Sequence, residues 1–288
     1  MPDPDLAPLA ARSAALSALA DRAARMALPL RTPRRRLTAV TLGRGLAVTA
    51  DEALPSRGGV RTEEGAEAVV VGRDPSTDVA LLRIDGLEAD GAAPEGTEVR
   101  VGATAVVGGM RDGAPVARFG AVSHLGPEWR SERGGAVGPR IELDLNLPAE
   151  LEGAPAVSGD GTLLGMAVPG PRGQVLVIPA ATIARVCGQL EKRGNIPRGY
   201  LGLSLHPVRE AEGMGLEVVG VEAGGPGARA GVRRGDVIVG MDGAPLGGMR
   251  DLARTLGPDS VGRTLALDLR RGQERIALDL AVGERAQW

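Results

Sequence analysis

The sequence predicts a mainly β protein with two domains and an N-terminal helix. Its 288 residues suit two domains, and 43% apolar with 24% charged residues is typical of globular chains. Between residues 37 and 178, short β-type runs recur between Gly- and Pro-containing turns, which indicates an antiparallel sandwich or barrel. After a polar linker at 195–199, β-type runs resume around one short helix at 249–256, which indicates a second, smaller domain.

The N-terminal segment is rich in Ala, Leu and Arg. Its leucines fall near helical spacing and Pro29 follows, so we expect a helix over residues 5–28. This helix either packs on the body of the protein or forms an oligomer contact. A second helix is predicted at 179–193, ending at Gly194, and it places Cys187 on the apolar face as a core residue.

Composition excludes some classes of function. A formal net charge of −2 and only two Trp, one Tyr and one Phe give no basic surface or stacking platform for nucleic acid. The single cysteine cannot form an internal disulfide. We expect no membrane span, because no apolar run reaches the ~18 residues required. Asp3 and Asp5 stand where a secretory signal carries positive charge, so the chain as written is expected to be cytoplasmic.

The C-terminal part carries a specific set of motifs. They are Tyr-Leu-Gly-Leu at 200–203, Gly-Gly-Pro-Gly-Ala-Arg-Ala-Gly-Val-Arg-Arg-Gly-Asp-Val-Ile-Val at 224–239, and Asp-Leu-Ala-Arg-Thr-Leu at 251–256. Together they resemble the PDZ domain of the HtrA family of serine proteases. The resemblance implies a PDZ domain over 198–285 that binds peptides or protein C-termini.

In such a domain an extended peptide adds to an open sheet edge, and backbone N–H groups hold its terminal carboxylate. The resemblance gives that carboxylate-binding loop to Leu201, Gly202 and Leu203. Side chains at helical spacing would line the pocket: Met249, Leu252, Ala253 and Leu256. The alternative is that these residues are simply core, Leu252 first among them.

The preceding region, 37–190, also resembles the HtrA proteases, which implies a trypsin-like double β-barrel. We assign it residues 31–194, after an N-terminal helical segment at 1–30. The run Gly-Arg-Asp-Pro-Ser-Thr-Asp-Val-Ala-Leu-Leu-Arg-Ile at 72–84 matches the stretch that carries the family's catalytic aspartate, which falls on Asp78. Further matching stretches lie at 120–126, 160–166 and 177–179.

The remaining two triad positions depart from the family. The run that holds the family's histidine reads Thr-Ala-Asp-Glu-Ala-Leu at 49–54, which puts Glu52 at the histidine position. The run that holds its serine reads Glu-Leu-Glu-Gly-Ala at 150–154, which puts Glu152 at the serine position. Glu150 replaces a glycine that shapes the oxyanion loop.

Glutamates cannot perform this chemistry, because acyl transfer needs a hydroxyl nucleophile activated by a base of near-neutral pKa. We expect no relocated triad. Neither histidine, His124 or His206, falls where Asp78 would orient it, and Ser56, Ser123 and Ser158 sit in turns.

If the fold holds, Glu52, Asp78 and Glu152 converge on one pocket. Two carboxylates ~5 Å apart repel by about 3 kcal/mol at an effective dielectric near 20. Four outcomes remain open: one carboxyl stays protonated, an arginine reaches in, a hard cation binds, or the glutamates turn out into solvent.

These observations lead to the interpretation of a catalytically inactive HtrA-like pseudo-protease, a scaffold, regulator or chaperone-like protein with no metal and no cofactor. The alternatives are an active HtrA-type endopeptidase in protein quality control and a regulatory subunit of an active homologue. The resemblance leaves a homo-trimer and a periplasmic or extracytoplasmic location open.

Overall fold

The computed structural model describes residues 6–56, 58–88, 91, 99–210 and 213–284. It divides into two compact units, one formed by 1–129 and 137–195, the other by 130–136 and 196–288. Among the described helices, none is long and apolar enough to cross a membrane.

The first unit begins with helix α1 (Ala7–Arg25). Its end packs on the second barrel, where Ala23 lies against Val106 and Val157. A Cβ on Gly108 would lie 2.4 Å from the Cβ of Ala23, so two small residues allow this close approach. The predicted helix 5–28 was too long. Residue 5 lies outside the described residues, and residues 27 and 28 belong to a strand.

Twelve strands then form two closed six-stranded antiparallel barrels, ordered β1-β2-β3-β6-β5-β4 and β10-β11-β12-β9-β8-β7. The first barrel consists of β1 (Ala27–Arg31), β2 (Arg36–Gly43), β3 (Leu46–Thr49), β4 (Val60–Thr62), β5 (Glu67–Asp74) and β6 (Val79–Ile84). The second consists of β7 (Thr104–Arg111), β8 (Ala114–Arg130), β9 (Ala136–Leu143), β10 (Pro155–Ser158), β11 (Leu163–Pro169) and β12 (Val175–Pro179). The predicted mainly β fold with an N-terminal helix is confirmed.

Aliphatic side chains fill both barrels, as the scarcity of aromatic residues requires. Leu30, Leu37 and Leu81 are fully buried in strands of the first barrel, and Leu151 and Met166 are fully buried in the second-barrel region. Each barrel closes on itself, so its strands leave no open edge.

Helix α2 (Ala180–Arg193) closes the first unit and ends at Gly194, whose φ of 71° gives the left-handed cap. Cys187 is buried on this helix, and burial raises the pKa of its thiol to about 12. The thiol is therefore a packing group rather than a nucleophile.

The second unit contains one main sheet, ordered β14-β15-β16-β18-β19 with β17 beside β16, and a two-stranded sheet of β13 and β20. The strands are β13 (Gly199–Tyr200), β14 (Leu203–Glu210), β15 (Gly213–Val221), β16 (Val237–Met241), β17 (Ala244–Pro245), β18 (Thr264–Arg271), β19 (Glu274–Ala281) and β20 (Gly283–Glu284). Two short helices, α3 (Pro226–Arg229) and α4 (Met249–Thr255), complete it.

A buried ion pair stabilises this second unit. Asp236 is 1% exposed, and the Arg271 guanidinium donates to both of its carboxylate oxygens at 2.7 and 2.8 Å. These bonds hold the pKa of Asp236 below its usual value, with a smaller contribution from the amide of Arg233. Asp236 belongs to the predicted motif at 224–239, and its function there is to join β16 to β18.

Candidate functional site

Glu52 lies on the loop that follows β3, and Arg73 on β5 holds this loop in place. The Arg73 guanidinium contacts the Asp51 carboxylate at 2.5 Å and donates to the carbonyls of Asp51 and Pro55 at 2.9 and 3.2 Å. Asp51 is buried, whereas the Glu52 side chain is exposed. The loop therefore places one carboxylate in the interior and the next in solvent.

Asp78 begins the turn into β6 with a φ of 57°, a left-handed conformation that is uncommon for a residue other than glycine. The Asp74 carboxylate fixes the preceding turn by accepting hydrogen bonds from the Ser76 amide at 3.0 Å and the Thr77 hydroxyl at 2.6 Å. The Asp78 Oδ1 atom then accepts a hydrogen bond from the amide of Glu52 at 2.8 Å.

The Asp78 carboxyl is the strongly perturbed acid of this site. Burial is the main cause that raises its pKa to about 7, with a smaller contribution from the negative charges of Glu52, Asp51 and Glu152, while the Glu52 amide opposes the shift. Asp78 is thus electrostatically coupled to both glutamates that the sequence predicted to converge with it. One of the expected outcomes, a carboxyl that holds its proton near neutral pH, is what these surroundings favour.

Glu152 follows a short 3₁₀ turn at Ala149–Leu151 that packs on the first barrel. Thr38 on β2 fixes this segment, because its amide donates to the Glu152 carbonyl at 3.0 Å and its hydroxyl donates to the Glu150 carbonyl at 2.7 Å. A Cβ on Gly153 would lie 2.2 Å from the Thr38 carbonyl oxygen. Only glycine fits there, so the two barrels meet closely at this loop.

Arg35 neutralises the Glu152 carboxylate. The side chain of Glu152 is 9% exposed, and the Arg35 Nη1 atom lies 2.7 Å from its Oε2 atom. The Nε atom of the same guanidinium donates to the Ala53 carbonyl at 3.3 Å. Arg35 therefore links the serine-position loop to the histidine-position loop.

Three amides of the serine-position loop are already bonded within the protein. The Glu152 amide donates to the Ala149 carbonyl at 3.3 Å, the Leu151 amide to the Pro148 carbonyl at 2.9 Å, and the Gly153 amide to the Ala167 carbonyl at 2.9 Å. An oxyanion hole needs N–H groups aimed at the developing charge. These three donors point to protein carbonyls instead.

The pocket thus combines three of the outcomes that the sequence left open: an arginine reaches Glu152, Asp78 tends to stay protonated, and Glu52 faces solvent. Across the described residues, no group of three or more His, Cys, Asp or Glu side chains is arranged to hold a metal ion. The geometry of the described residues therefore does not support the hypothesis that a hard cation binds in this pocket.

The prediction that Ser123 and Ser158 sit in turns was wrong, because Ser123 lies on β8 and Ser158 is the last residue of β10. His124 lies on β8 and His206 on β14 of the second unit. The Ser123 hydroxyl donates to the Glu142 carbonyl at 3.1 Å, and the Ser158 hydroxyl bonds the Asp160 carboxylate beside it. Neither serine hydroxyl is hydrogen-bonded to a histidine.

Sequence reasoning missed Arg35 and Arg73. Arg73 lies within the matched run at 72–84, where only Asp78 was assigned a role, and Arg35 lies between the predicted helix 5–28 and the first predicted β-type run at 37. The signal for Arg35 was the basic run at 34–36, since a buried carboxylate at the predicted serine position requires a nearby cation.

The predicted carboxylate-binding loop lies between β13 and β14. Gly202 has a φ of 67°, and its carbonyl accepts from the amide of Glu222 at 2.9 Å, while the Leu201 carbonyl accepts from Gly227 at 2.7 Å. Within the described ranges, the N–H groups of Leu201 and Gly202 donate no hydrogen bond to the protein. The loop therefore presents free donors with its carbonyls turned away.

Strand β14 continues from this loop along the edge of the sheet. In the described part of the chain it pairs with β15 on one side and with no strand on the other. Leu203 and Leu205 on β14 and Leu256 after α4 are partly buried against the core of the unit. Pro207 lies midway along the strand, a position typical of an edge.

The predicted pocket residues of α4 differ in exposure. Met249 is 45% exposed, Ala253 is half-buried, and Leu252 is 5% exposed within the core. Leu252 therefore packs the helix onto the sheet, and Met249 and Ala253 are the accessible residues among those predicted on this helix.

Two closed antiparallel barrels followed by this edge-strand domain define the class of trypsin-like proteases that carry a PDZ domain. Residues 199–282 match the family model described as PDZ domain. The curated relatives include the "Probable periplasmic serine endoprotease DegP-like" proteins of Rhizobium meliloti (strain 1021) and Pseudomonas putida (strain ATCC 700007). The first is 30% identical to this chain, and the alignment covers 75% of this chain and 46% of the relative. The second is 31% identical, and the alignment covers 75% of this chain and 48% of the relative. The chain spans about half the length of these curated relatives.

Solved structures share the fold across nearly the whole chain. The "HtrA-type protease AlgW with decapeptide" has a TM-score of 0.66 at 21% identity, covering 93% of this chain and 98% of that one. The serine endoprotease from Yersinia pestis has a TM-score of 0.67 at 22% identity, covering 93% and 97%. The chain is an HtrA-type serine protease homologue with a PDZ domain.

We predict that Arg35→Ala lowers the free energy of unfolding by about 3 kcal/mol, because it leaves the buried Glu152 carboxylate without a cation. Urea unfolding at pH 7 measures the change. The exposed neighbour gives a matched control, Arg34→Ala, which should stay within ~0.5 kcal/mol of wild type. The double variant Arg35→Ala/Glu152→Leu should recover part of the lost free energy of unfolding. An Arg35→Ala protein as stable as the Arg34→Ala control would contradict the role assigned to the Arg35–Glu152 pair.

We predict a pH-dependent effect of Asp78→Asn. The folded-state pKa of about 7 lies above the ordinary 3.8, so the protonated carboxyl contributes its full stabilisation below about pH 4 and loses it as the pH rises through 7. Asparagine cannot ionise and tolerates the left-handed backbone. Relative to wild type, the variant should therefore gain about 4 kcal/mol between pH 4 and pH 8, since each pH unit between the two pKa values is worth about 1.4 kcal/mol.

Urea unfolding at pH 4, 6 and 8 tests this expectation, with Asp85→Asn in an exposed turn as the control. The control should keep a constant offset from wild type. Parallel pH profiles for wild type and Asp78→Asn would show that Asp78 ionises normally in the folded protein.

Proposed function

We propose that this protein is a non-catalytic HtrA-type homologue that binds peptides or protein C-termini through its PDZ domain. The absence of catalysis is supported by the residue at the predicted serine position. Glu152 offers no hydroxyl, is buried, and is paired with Arg35 at 2.7 Å. A nucleophile would need to be free, activated and beside an open oxyanion hole.

The binding half rests on the second unit. A loop with free N–H donors leads into an edge strand with one unpaired side, and partly buried leucines lie alongside it. These are the three features that strand addition requires: an anion site, a row of backbone partners and side-chain pockets. The neighbour solved with a decapeptide supports peptides as the ligand class.

The location of the protein stays a prediction. The chain as written led us to expect the cytoplasm, and the relatives' description as periplasmic supports the extracytoplasmic alternative.

We predict that the purified protein is not labelled by a fluorophosphonate probe and does not cleave casein, because the described site presents no activated serine. Trypsin, run in parallel, gives the positive control. Labelling at Ser56, Ser123 or Ser158, located by peptide mapping, would overturn the proposal and favour an active endopeptidase with an unrecognised site. Co-purification with an active homologue would instead favour the regulatory-subunit alternative.

We predict that Gly202→Ala weakens binding of a C-terminal peptide at least tenfold in fluorescence polarisation with the full chain. The left-handed backbone at φ 67° disfavours any side chain, and a Cβ there would lie 3.1 Å from the Pro226 ring. Gly224→Ala is the matched control, since Gly224 has a φ of 71° but open space around it. Equal losses in both variants would mean that general strain, not the loop, determines binding.

A further inference from the structure

A glutamate stands beside the carboxylate-binding loop of the PDZ domain. Glu222 follows β15, and its amide donates to the Gly202 carbonyl at 2.9 Å, so its backbone is fixed next to the loop. Its Oε2 atom lies 3.4 Å from the position that a Cβ on Gly202 would take and 3.2 Å from that on Gly225. The carboxylate therefore lies against the loop that would receive another carboxylate.

Tyr200 holds the Glu222 side chain in this position. The phenol of Tyr200, the one tyrosine of the chain, donates a hydrogen bond of 2.7 Å to the Glu222 Oε2 atom. Among the described residues, no basic side chain forms an ion pair with Glu222; the guanidinium of nearby Arg229 donates to the Gly224 carbonyl. The Glu222 carboxylate is thus oriented at the mouth of the loop by a hydrogen bond, without a cation paired to it among the described residues.

This charge opposes a ligand that brings only negative charge to the same place. A terminal carboxylate bound to the free N–H groups of Leu201 and Gly202 would lie within a few ångströms of Glu222, well inside the ~10 Å screening length at 0.1 M salt. A positive charge on the ligand near its terminus would offset this repulsion, and a negative one would add to it.

The apolar rim of the groove determines where that positive charge can be. Successive side chains of an extended peptide point to opposite sides. The last side chain would pack against the partly buried Leu203 and Leu256. The penultimate side chain then points away from this apolar pocket and remains free to reach the exposed carboxylate.

We propose that Glu222 is a specificity-determining residue that selects peptides with an apolar last residue preceded by lysine or arginine. This inference rests on the proposed peptide-binding function. It assigns to Tyr200 the role of positioning residue for the Glu222 carboxylate.

Fluorescence polarisation with three labelled hexapeptides tests the assignment on the full chain. The peptides end in Arg-Leu, Gln-Leu and Glu-Leu with free carboxylates and are otherwise identical. With wild type at low salt, we expect the Arg-Leu peptide to bind at least tenfold more tightly than the Glu-Leu peptide, with Gln-Leu between them. Raising the salt to 0.5 M should reduce this ratio.

Two variants assign the preference to one carboxylate. Glu222→Gln should reduce the Arg-Leu to Glu-Leu ratio to about twofold or less while it strengthens binding of the Glu-Leu peptide. Tyr200→Phe should reduce the ratio partly, since the carboxylate stays but loses its orientation. Glu274→Gln is the matched control, because Glu274 is exposed on β19 at the opposite edge of the sheet. It should leave the ratio unchanged.

The outcomes separate this inference from the function on which it rests. If all three peptides bind wild type equally, Glu222 has no role in selection, although peptide binding stands. If the ratio persists in Glu222→Gln, another group supplies the preference. If none of the three peptides binds and no member of a wider peptide library binds, the proposed peptide-binding function is wrong, and the inference about Glu222 is wrong with it.

Discussion

A carboxylate held in a protein interior needs either a cation or a proton, and this requirement organises the candidate site of the barrel. Glu152 is buried where the two barrels meet, and Arg35 supplies the cation. Because the same guanidinium reaches the Ala53 carbonyl, neutralising one charge also joins the two loops that flank the site. Asp78 meets the requirement in the other way, by tending to keep its proton.

The same turns that would orient a catalytic group remain in place around this pocket. The Asp74 carboxylate still bonds Ser76 and Thr77, and Asp78 still receives the amide of the next loop. Under the proposed non-catalytic function, a histidine at 52 and a serine at 152 would not by themselves complete a catalytic site, because the amide of residue 152 is bonded to Ala149 and Arg35 would lose its partner.

Much of this arrangement could be predicted from the sequence, because short aliphatic runs between Gly and Pro turns indicate β structure and the motif at 224–239 is specific. The errors have physical causes. The predicted helix extended two residues into strand β1, because Ala27 and Leu28 continue the Ala- and Leu-rich composition of the helix as far as Pro29. Arg35 and Glu222 act through tertiary proximity to a loop far along the chain, which no local pattern records.

Pro207 gives the open edge of the second unit a defined length. A proline on an edge strand has no N–H to offer an incoming chain, so backbone pairing along β14 is interrupted after its first four residues. A short C-terminal peptide could form backbone hydrogen bonds with all four residues before Pro207, whereas a long strand from another molecule could not pair along the whole of β14. A proline that would limit the proposed peptide ligand to a few positions would thus also disfavour edge-to-edge aggregation.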